Sequence, residues 1–200
     1  MEPTSRAWLI LAQARLRVAE LEALLDAHGD VDSIVTLSSK DLVHSGLKEQ
    51  AAAAIARPDT EAIDSALAWL DHESHHLVAF GEPDYPELLT QIRGRPLLLY
   101  VNGDVGCLHL PTLAIIGSRN PTRGGIRNAA DFAAYLAQQG FSIVSGLAEG
   151  IDTAAHRGAL DGGAATVAVL GPGIDRSYPA ATRDLAHQIA RQGARGSEFT

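Results

Sequence analysis

Leu113-Ala114-Ile115-Ile116-Gly117-Ser118-Arg119, Phe141-Ser142-Ile143-Val144-Ser145-Gly146 and Ala165-Thr166-Val167-Ala168-Val169-Leu170-Gly171 are short apolar runs that each end in a glycine-containing turn. Runs of this length, bounded by glycine and separated by segments of helical period, read as buried parallel strands joined by crossover helices. In such a sheet ligands bind at the carboxyl ends of the strands, where these turns lie.

The first turn continues as Asn120-Pro121-Thr122-Arg123-Gly124-Gly125, after which Ile126, Ala129, Ala130, Ala133, Leu136 and Ala137 mark a helix up to Gly140. A helix start presents unpaired amides and the positive end of the dipole, and glycine lets a ligand approach the backbone closely, so this end is an anion site. Arg119, Arg123 and Arg127 crowd it, although cations there are disfavoured by about 0.3–1 kcal/mol each when no anion is bound. Two readings stay open: the arginines hold an anionic ligand, or they only solvate a helix start. No Gly-Lys-Ser/Thr follows Gly117 at Walker A spacing and no Gly-x-Gly-x-x-Gly is present, so nucleotide hydrolysis and dinucleotide binding lack their usual signatures.

In the second turn, Asp152 or Thr153 opens a helix through Leu160. Asp152 and His156 stand four apart and share a helix face, which suits acid-base work, a metal, or a structural hydrogen bond. Ser145 lies close in sequence, yet it is not in Gly-x-Ser-x-Gly, and Asp and His are too local for a hydrolytic triad, so capping and scaffolding are the favoured roles. The third turn, Gly171-Pro172-Gly173-Ile174-Asp175-Arg176-Ser177-Tyr178-Pro179, offers a phosphate fork in Arg176 and a ring for base stacking in Tyr178. Packing beside Pro179 is the alternative for the tyrosine. A last helix starts near Thr182 and closes at Gly193.

Upstream, Leu9, Ala12, Leu16, Ala19 and Ala23 predict one amphipathic helix from Trp8 to Leu25, stopped by Gly29. Short helices follow, with a turn at Val43-His44-Ser45-Gly46-Leu47, and Thr60 is expected to cap a helix running to Leu70. The turn is similar to helix-hairpin-helix modules, but Asp26, Asp30, Asp32, Asp41 and Glu49 surround it and would repel phosphate. His75-His76 reads as a solvated linker. Leu77–Phe80 and Pro96–Val101 read as strands at one edge of the main sheet, with Pro86 at an early position of a short helix between them. The domains expected are therefore 1–74, helical, and 75–200, α/β.

The 200 residues are 46% hydrophobic, enough for a proper core. Apolar runs fall well short of the roughly 20 residues of a membrane span, and Met1–Ser5 lacks a basic segment followed by an apolar one, so a cytoplasmic protein without a membrane span is expected. Cys107 is the sole cysteine, which leaves no disulfide framework and no zinc cluster, and its own reading is a buried, inert thiol. The net charge of -8 is unevenly spread: residues 1–110 hold eight Lys and Arg against seventeen Asp and Glu, while residues 111–200 hold eight arginines against seven acids. Arginine's planar donor fork suits phosphate.

Ile116-Gly117-Ser118-Arg119, Ser145-Gly146-Leu147-Ala148-x-Gly150-Ile151-Asp152-x-x-Ala155-His156 and Gly171-x-Gly173-Ile174-Asp175-x-x-Tyr178-Pro179 together resemble the DNA-processing protein A (DprA/Smf) family. So do Tyr85-Pro86-x-Leu88-Leu89 and Leu99-Tyr100-x-x-Gly103-Asp104, which extends the likeness from Asp84 to about Phe199. The resemblance implies an α/β fold: an extended Rossmann-like, mainly parallel sheet with flanking helices, C-terminally incomplete, preceded by a small all-α domain like the sterile alpha motif. It implies a non-catalytic single-stranded DNA-binding protein, without cofactor or metal, that delivers incoming DNA to the RecA recombinase in natural transformation. It further implies a homodimer of the full-length protein, and DNA held at the arginine matching Arg119.

Joined to the reading of the turns, the expected DNA contacts are Gly117, Ser118, Arg119, Arg123, Arg127, Gly146, Gly173, Arg176 and Tyr178. Many family members carry an arginine where Glu149 stands and a basic residue where Ala180 stands. Family members also continue beyond Ser197-Glu198-Phe199, so a truncation or a vector-derived tail at residues 196–200 is expected. One rival is a phosphoribohydrolase-like enzyme with Asp152 or Glu149 as catalytic acid, but its expected Pro-Gly-Gly-x-Gly-Thr loop is absent. Another is an interaction scaffold that binds neither nucleotide nor nucleic acid.

Overall fold

The computed structural model describes residues 3–175 and 180–199. Contacts divide the chain into two compact units, one made of the residues up to Glu73 with Leu77–Leu98, the other of Ser74–His76 and the residues from Leu99 onward.

In the first unit, α1 (Pro3–Gln13) and α2 (Val18–His28) replace the single helix expected from Trp8 to Leu25. Arg15 adopts a left-handed backbone at φ 52°, which breaks the helical ladder. Leu16 is buried beyond the break, and α2 restarts with the Arg17 amide donating to the Glu20 carboxylate at 2.9 Å. The apolar spacing is the same in one helix or two, so the break is invisible to periodicity. Then come α3 (Val31–Val35), α4 (Ser39–His44), α5 (Glu49–Ala56) and α6 (Thr60–Leu70). Asp59, not Thr60, caps α6: its carboxylate accepts from the Ala62 amide at 3.1 Å, and a negative charge suits a helix start better than a neutral hydroxyl. Leu11, Leu21, Leu24, Ile34, Leu42, Ile55 and Ile63 are fully buried.

A six-stranded sheet follows the order β1-β2-β6-β5-β4-β3. Its strands are β1 (His75–Ala79), β2 (Leu98–Gly103), β3 (Thr112–Ala114), β4 (Ser142–Ser145), β5 (Thr166–Val169) and β6 (Ala194–Ser197). The short helix α7 (Glu87–Thr90) lies between β1 and β2 in the chain, with Pro86 at its N-cap, and a 3-10 turn (Val105–His109) precedes β3. β3, β4, β5 and β6 run parallel, and β2 is antiparallel to β6. The segment upstream of residue 104 thus supplies strands at one end of the sheet, as its sequence predicts. His75 is a strand residue rather than part of a linker, with its Nε2 2.7 Å from the Asn102 Nδ2. Among the described residues no helix is long and apolar enough to cross a membrane.

The helices α8 (Arg123–Gln138), α9 (Ile151–Asp161) and α10 (Ala180–Gln192) are the crossovers between the parallel strands. α8 and α9 meet at backbone distance. A Cβ added at Gly158 would lie 2.8 Å from the Ala130 Cα, and one at Gly162 would lie 2.7 Å from the Ala134 carbonyl. Small residues at these positions let the helix axes approach more closely than larger side chains would permit. Ala133, Ala155, Ala159 and Ile143 form the core under this seam, with Ile115 and Leu136 packed against it.

β3 departs from expectation. The run Leu113–Ile116 predicts a buried strand, but β3 ends the sheet order, has β4 as its neighbour on one side, and exposes all three of its residues, with Ile116 just beyond it 76% exposed. An apolar run reports what a strand is suited to touch, not whether a neighbour is present.

Candidate nucleic-acid interface

Parallel register places the carboxyl ends of β3, β4 and β5 side by side, through Ala114 opposite Val144 and Ser145 opposite Ala168. The first and second turns touch backbone to backbone. The Ile151 amide donates to the Ser118 carbonyl at 3.1 Å, and a Cβ at Gly117 would come within 2.8 Å of the Ile151 side chain. Gly150 precedes α9 at φ 90°, a conformation suited to glycine, and a Cβ there would also meet the Arg119 carbonyl at 2.9 Å.

Asp152 joins these turns. It stands second in α9, where the helix dipole favours a carboxylate, and its Oδ1 accepts from the Gly117 amide at 3.3 Å while its Oδ2 accepts from the Gly146 amide at 3.2 Å. The side chain is buried. Gly117 and Gly146 are exposed glycines in the expected turns, but their amides are turned inward onto a carboxylate of the chain itself. The groups that approach these glycines closely are the Ile151 side chain at Gly117 and the Asp152 carboxylate at Gly146.

Ser145 is buried, and its hydroxyl donates to the Ile115 carbonyl at 2.6 Å, which ties β4 to the chain leaving β3. Leu147 follows at φ 56°, one of two non-glycine residues among those described with positive φ. That conformation costs on the order of 1–3 kcal/mol and persists where its surroundings over-determine it. Here Thr153 does so, donating to the Ala148 carbonyl from its hydroxyl at 2.8 Å and its amide at 3.2 Å.

His156 is fully buried one turn below Asp152. The Thr166 hydroxyl donates to the Ile143 carbonyl at 2.5 Å, so it must accept from His156 Nδ1, which lies 2.8 Å away. This assigns the neutral ring its proton on Nδ1 and leaves Nε2 without a partner among the described residues. Burial pushes the imidazole down to about 4, against the opposing pull of the Asp152 carboxylate and the Ser145 carbonyl. The Ser145 hydroxyl, the Asp152 carboxylate and His156 Nδ1 thus each have their own hydrogen-bond partners: the Ile115 carbonyl, the Gly117 and Gly146 amides, and the Thr166 hydroxyl.

Arg119, Arg123 and Arg127 are exposed at the N-terminal end of α8 and make no ion pair among the described residues. Thr122 caps that helix by accepting from the Gly125 amide at 3.0 Å, and the first turn holds no acidic residue. Three unneutralised guanidinium groups beside the positive end of a 16-residue helix make a local concentration of positive charge on a chain whose net charge is -8. Ser118 is exposed beside them, with its hydroxyl accepting from the Asn120 amide at 3.1 Å.

Gly173 is buried at φ 124°, and the next amide, that of Ile174, donates to the Phe199 carbonyl at 2.9 Å, so this residue shapes the third turn from within. Arg176 and Tyr178 lie outside the described residues. No group of three or more His, Cys, Asp or Glu side chains suited to a metal ion occurs among the described residues. Cys107 is buried, as expected, and its thiol is pushed up to about 11 by burial and by Asp104 beside it.

The sequence matches the family model described as DNA recombination-mediator protein A over residues 76–200, more than half of the chain. It is 39% identical over 140 residues to Protein Smf of Escherichia coli (strain K12), an alignment that covers 70% of this chain and 37% of that protein. The curated relatives it matches are longer, and the chain spans 31% to 54% of their length. The X-ray structure of DNA processing protein A from Streptococcus pneumoniae is similar over all of this chain and 69% of its own, with a TM-score of 0.77 at 28% identity. DNA processing protein A from Helicobacter pylori, a structure described for its single-stranded DNA binding mode, is similar over 62% of this chain and 56% of its own, with a TM-score of 0.55 at 30% identity. The family match covers more than half of the sequence, and the chain belongs to the DNA recombination-mediator protein A family.

Proposed function

We propose that this chain binds single-stranded DNA through Arg119, Arg123 and Arg127 and acts as a recombination mediator that hands the strand to the RecA recombinase in the cytoplasm. The observation that carries the reading is the exposed arginine cluster at the start of α8, which has no acidic partner among the described residues. Free guanidinium groups on a rigid strand-end platform hold phosphates without doing chemistry on them. The inward-facing Asp152, Ser145 and His156 favour a binding role over the enzyme alternative. The single-stranded DNA binding mode described for the Helicobacter pylori relative supports the choice of ligand. Arg176 and Tyr178, which come after β5 in the sequence, are proposed to extend the contact. Homodimerisation is proposed for the longer form.

Titration of fluorescent oligothymidine at several salt concentrations tests this. Three phosphate contacts on a single strand give a slope of log affinity against log salt near -2, about a twentyfold loss between 50 and 200 mM. Arg119→Ala is expected to weaken binding and to make the slope shallower by about 0.7. An Arg119→Ala chain that bound as well as the parent in low salt would remove Arg119 from the site.

A further inference from the structure

We infer that Asp152 is the positioning residue of this interface, fixing the spacing between the β3 turn that carries Arg119 and the β4 turn before α9. The inference rests on the DNA-binding reading for its functional consequence but on geometry for its substance. One carboxylate accepts from Gly117 in the first turn and from Gly146 in the second, at 3.3 and 3.2 Å, and both glycines are exposed. A carboxylate is an acceptor at both oxygens, so it alone among side chains of this size satisfies two converging amides at once. Asparagine would set its own NH2 against one of them. The side chain is buried, so its charge is spent on these amides and the helix start rather than shown to a ligand.

Two further features bear on the same junction. Gly117 fits against Ile151, the residue immediately before Asp152, and Gly150 admits the Ser118 and Arg119 carbonyls. Loss of the carboxylate leaves the first turn joined to the start of α9 by the Ile151-to-Ser118 backbone hydrogen bond and van der Waals packing, while the chain before it stays anchored at Ile115. The backbone that sets the direction of Arg119 would then have several arrangements instead of one, and a binding surface is weakened by the ordering it must undergo.

Simple charge arithmetic and the positioning role differ in sign. Removing a negative charge near three arginines should tighten binding to a polyanion. Positioning requires the reverse. The experiment compares the parent with Asp152→Asn by oligothymidine titration over a salt series, far below the unfolding temperature, with amide hydrogen exchange recorded on both.

The expected result is an affinity about tenfold weaker for Asp152→Asn, with an unchanged salt slope because no phosphate contact is lost. The Gly117 and Gly146 amides are expected to exchange at least about tenfold faster, while β4 and β5 keep their protection. Equal or tighter binding by the variant, or a slope shallower by a full phosphate contact, overturns the inference. Should Asp152→Asn fail to fold, the parent decides: slow exchange at both glycines supports it, and exchange as fast as in an unstructured turn overturns it. A parent that does not bind oligothymidine removes the proposed function, and the exchange comparison still tests Asp152.

Discussion

Acidification from pH 7 to pH 4 is expected to destabilise the α/β unit through His156. Burial holds this imidazole at about 4 in the folded chain, whereas an exposed histidine titrates near 6.5. Its folded value is lowered, so the unfolded chain binds the proton more tightly throughout this window. The stability contributed by the neutral ring is therefore present above about pH 6.5, falls as pH drops toward 4, and levels off below. The difference in pKa sets a limit of roughly 3 kcal/mol, most of which is lost between pH 7 and pH 4, a large share of a domain's net stability.

The control is His156→Asn, whose side-chain amide can still donate to Thr166 in place of Nδ1 but does not titrate. It will cost stability at every pH through the cavity it leaves, and the informative quantity is the pH dependence. Both tryptophans, Trp8 and Trp69, lie in the helical unit, so indole fluorescence does not report on His156. Urea unfolding should be followed by amide exchange in β4 and β5, with far-UV circular dichroism beside it. If His156→Asn lost as much stability between pH 7 and pH 4 as the parent, to within about 1 kcal/mol, the assignment of this acid sensitivity to a buried neutral ring would be wrong.

Gly158→Ala should lower stability by a net of about 1–2 kcal/mol in thermal melts, because forcing α8 and α9 apart outweighs the roughly 1 kcal/mol of helix propensity that alanine supplies. Gly124→Ala, whose added methyl meets nothing closer than 3.8 Å, should be neutral or stabilising in the same assay. Cys107, with its thiol near 11, should react with a disulfide reagent at pH 8 only as fast as the chain opens, and denaturant should accelerate the reaction by several orders of magnitude.

The three strand-turn-helix units were legible because each is a local signal: an apolar run, a glycine turn, then apolar residues at helical spacing. The exposed arginines were legible for the same reason, since Arg119, Arg123 and Arg127 stand within nine residues of one helix start. What was not legible depends on groups distant in sequence. Gly117 and Asp152 are 35 residues apart, and no spacing rule shows that a glycine amide expected to face a ligand faces that carboxylate. Likewise the apolar character of Leu113–Ile116 is real, but its burial depends on what lies beside β3, which composition does not encode. The break at Arg15 was hidden because a left-handed arginine has no signature of its own.

The glycine and alanine seam between α8 and α9 also has a mechanical meaning. Two helices separated by long side chains can slide as those side chains change rotamer, whereas backbone seated on backbone leaves no soft layer to deform. The start of α8, which bears Arg123 and Arg127, and the start of α9, which bears Asp152, are thereby ends of one stiff plate. A force applied at Arg123 or Arg127 is therefore borne by both helices together rather than by a single turn.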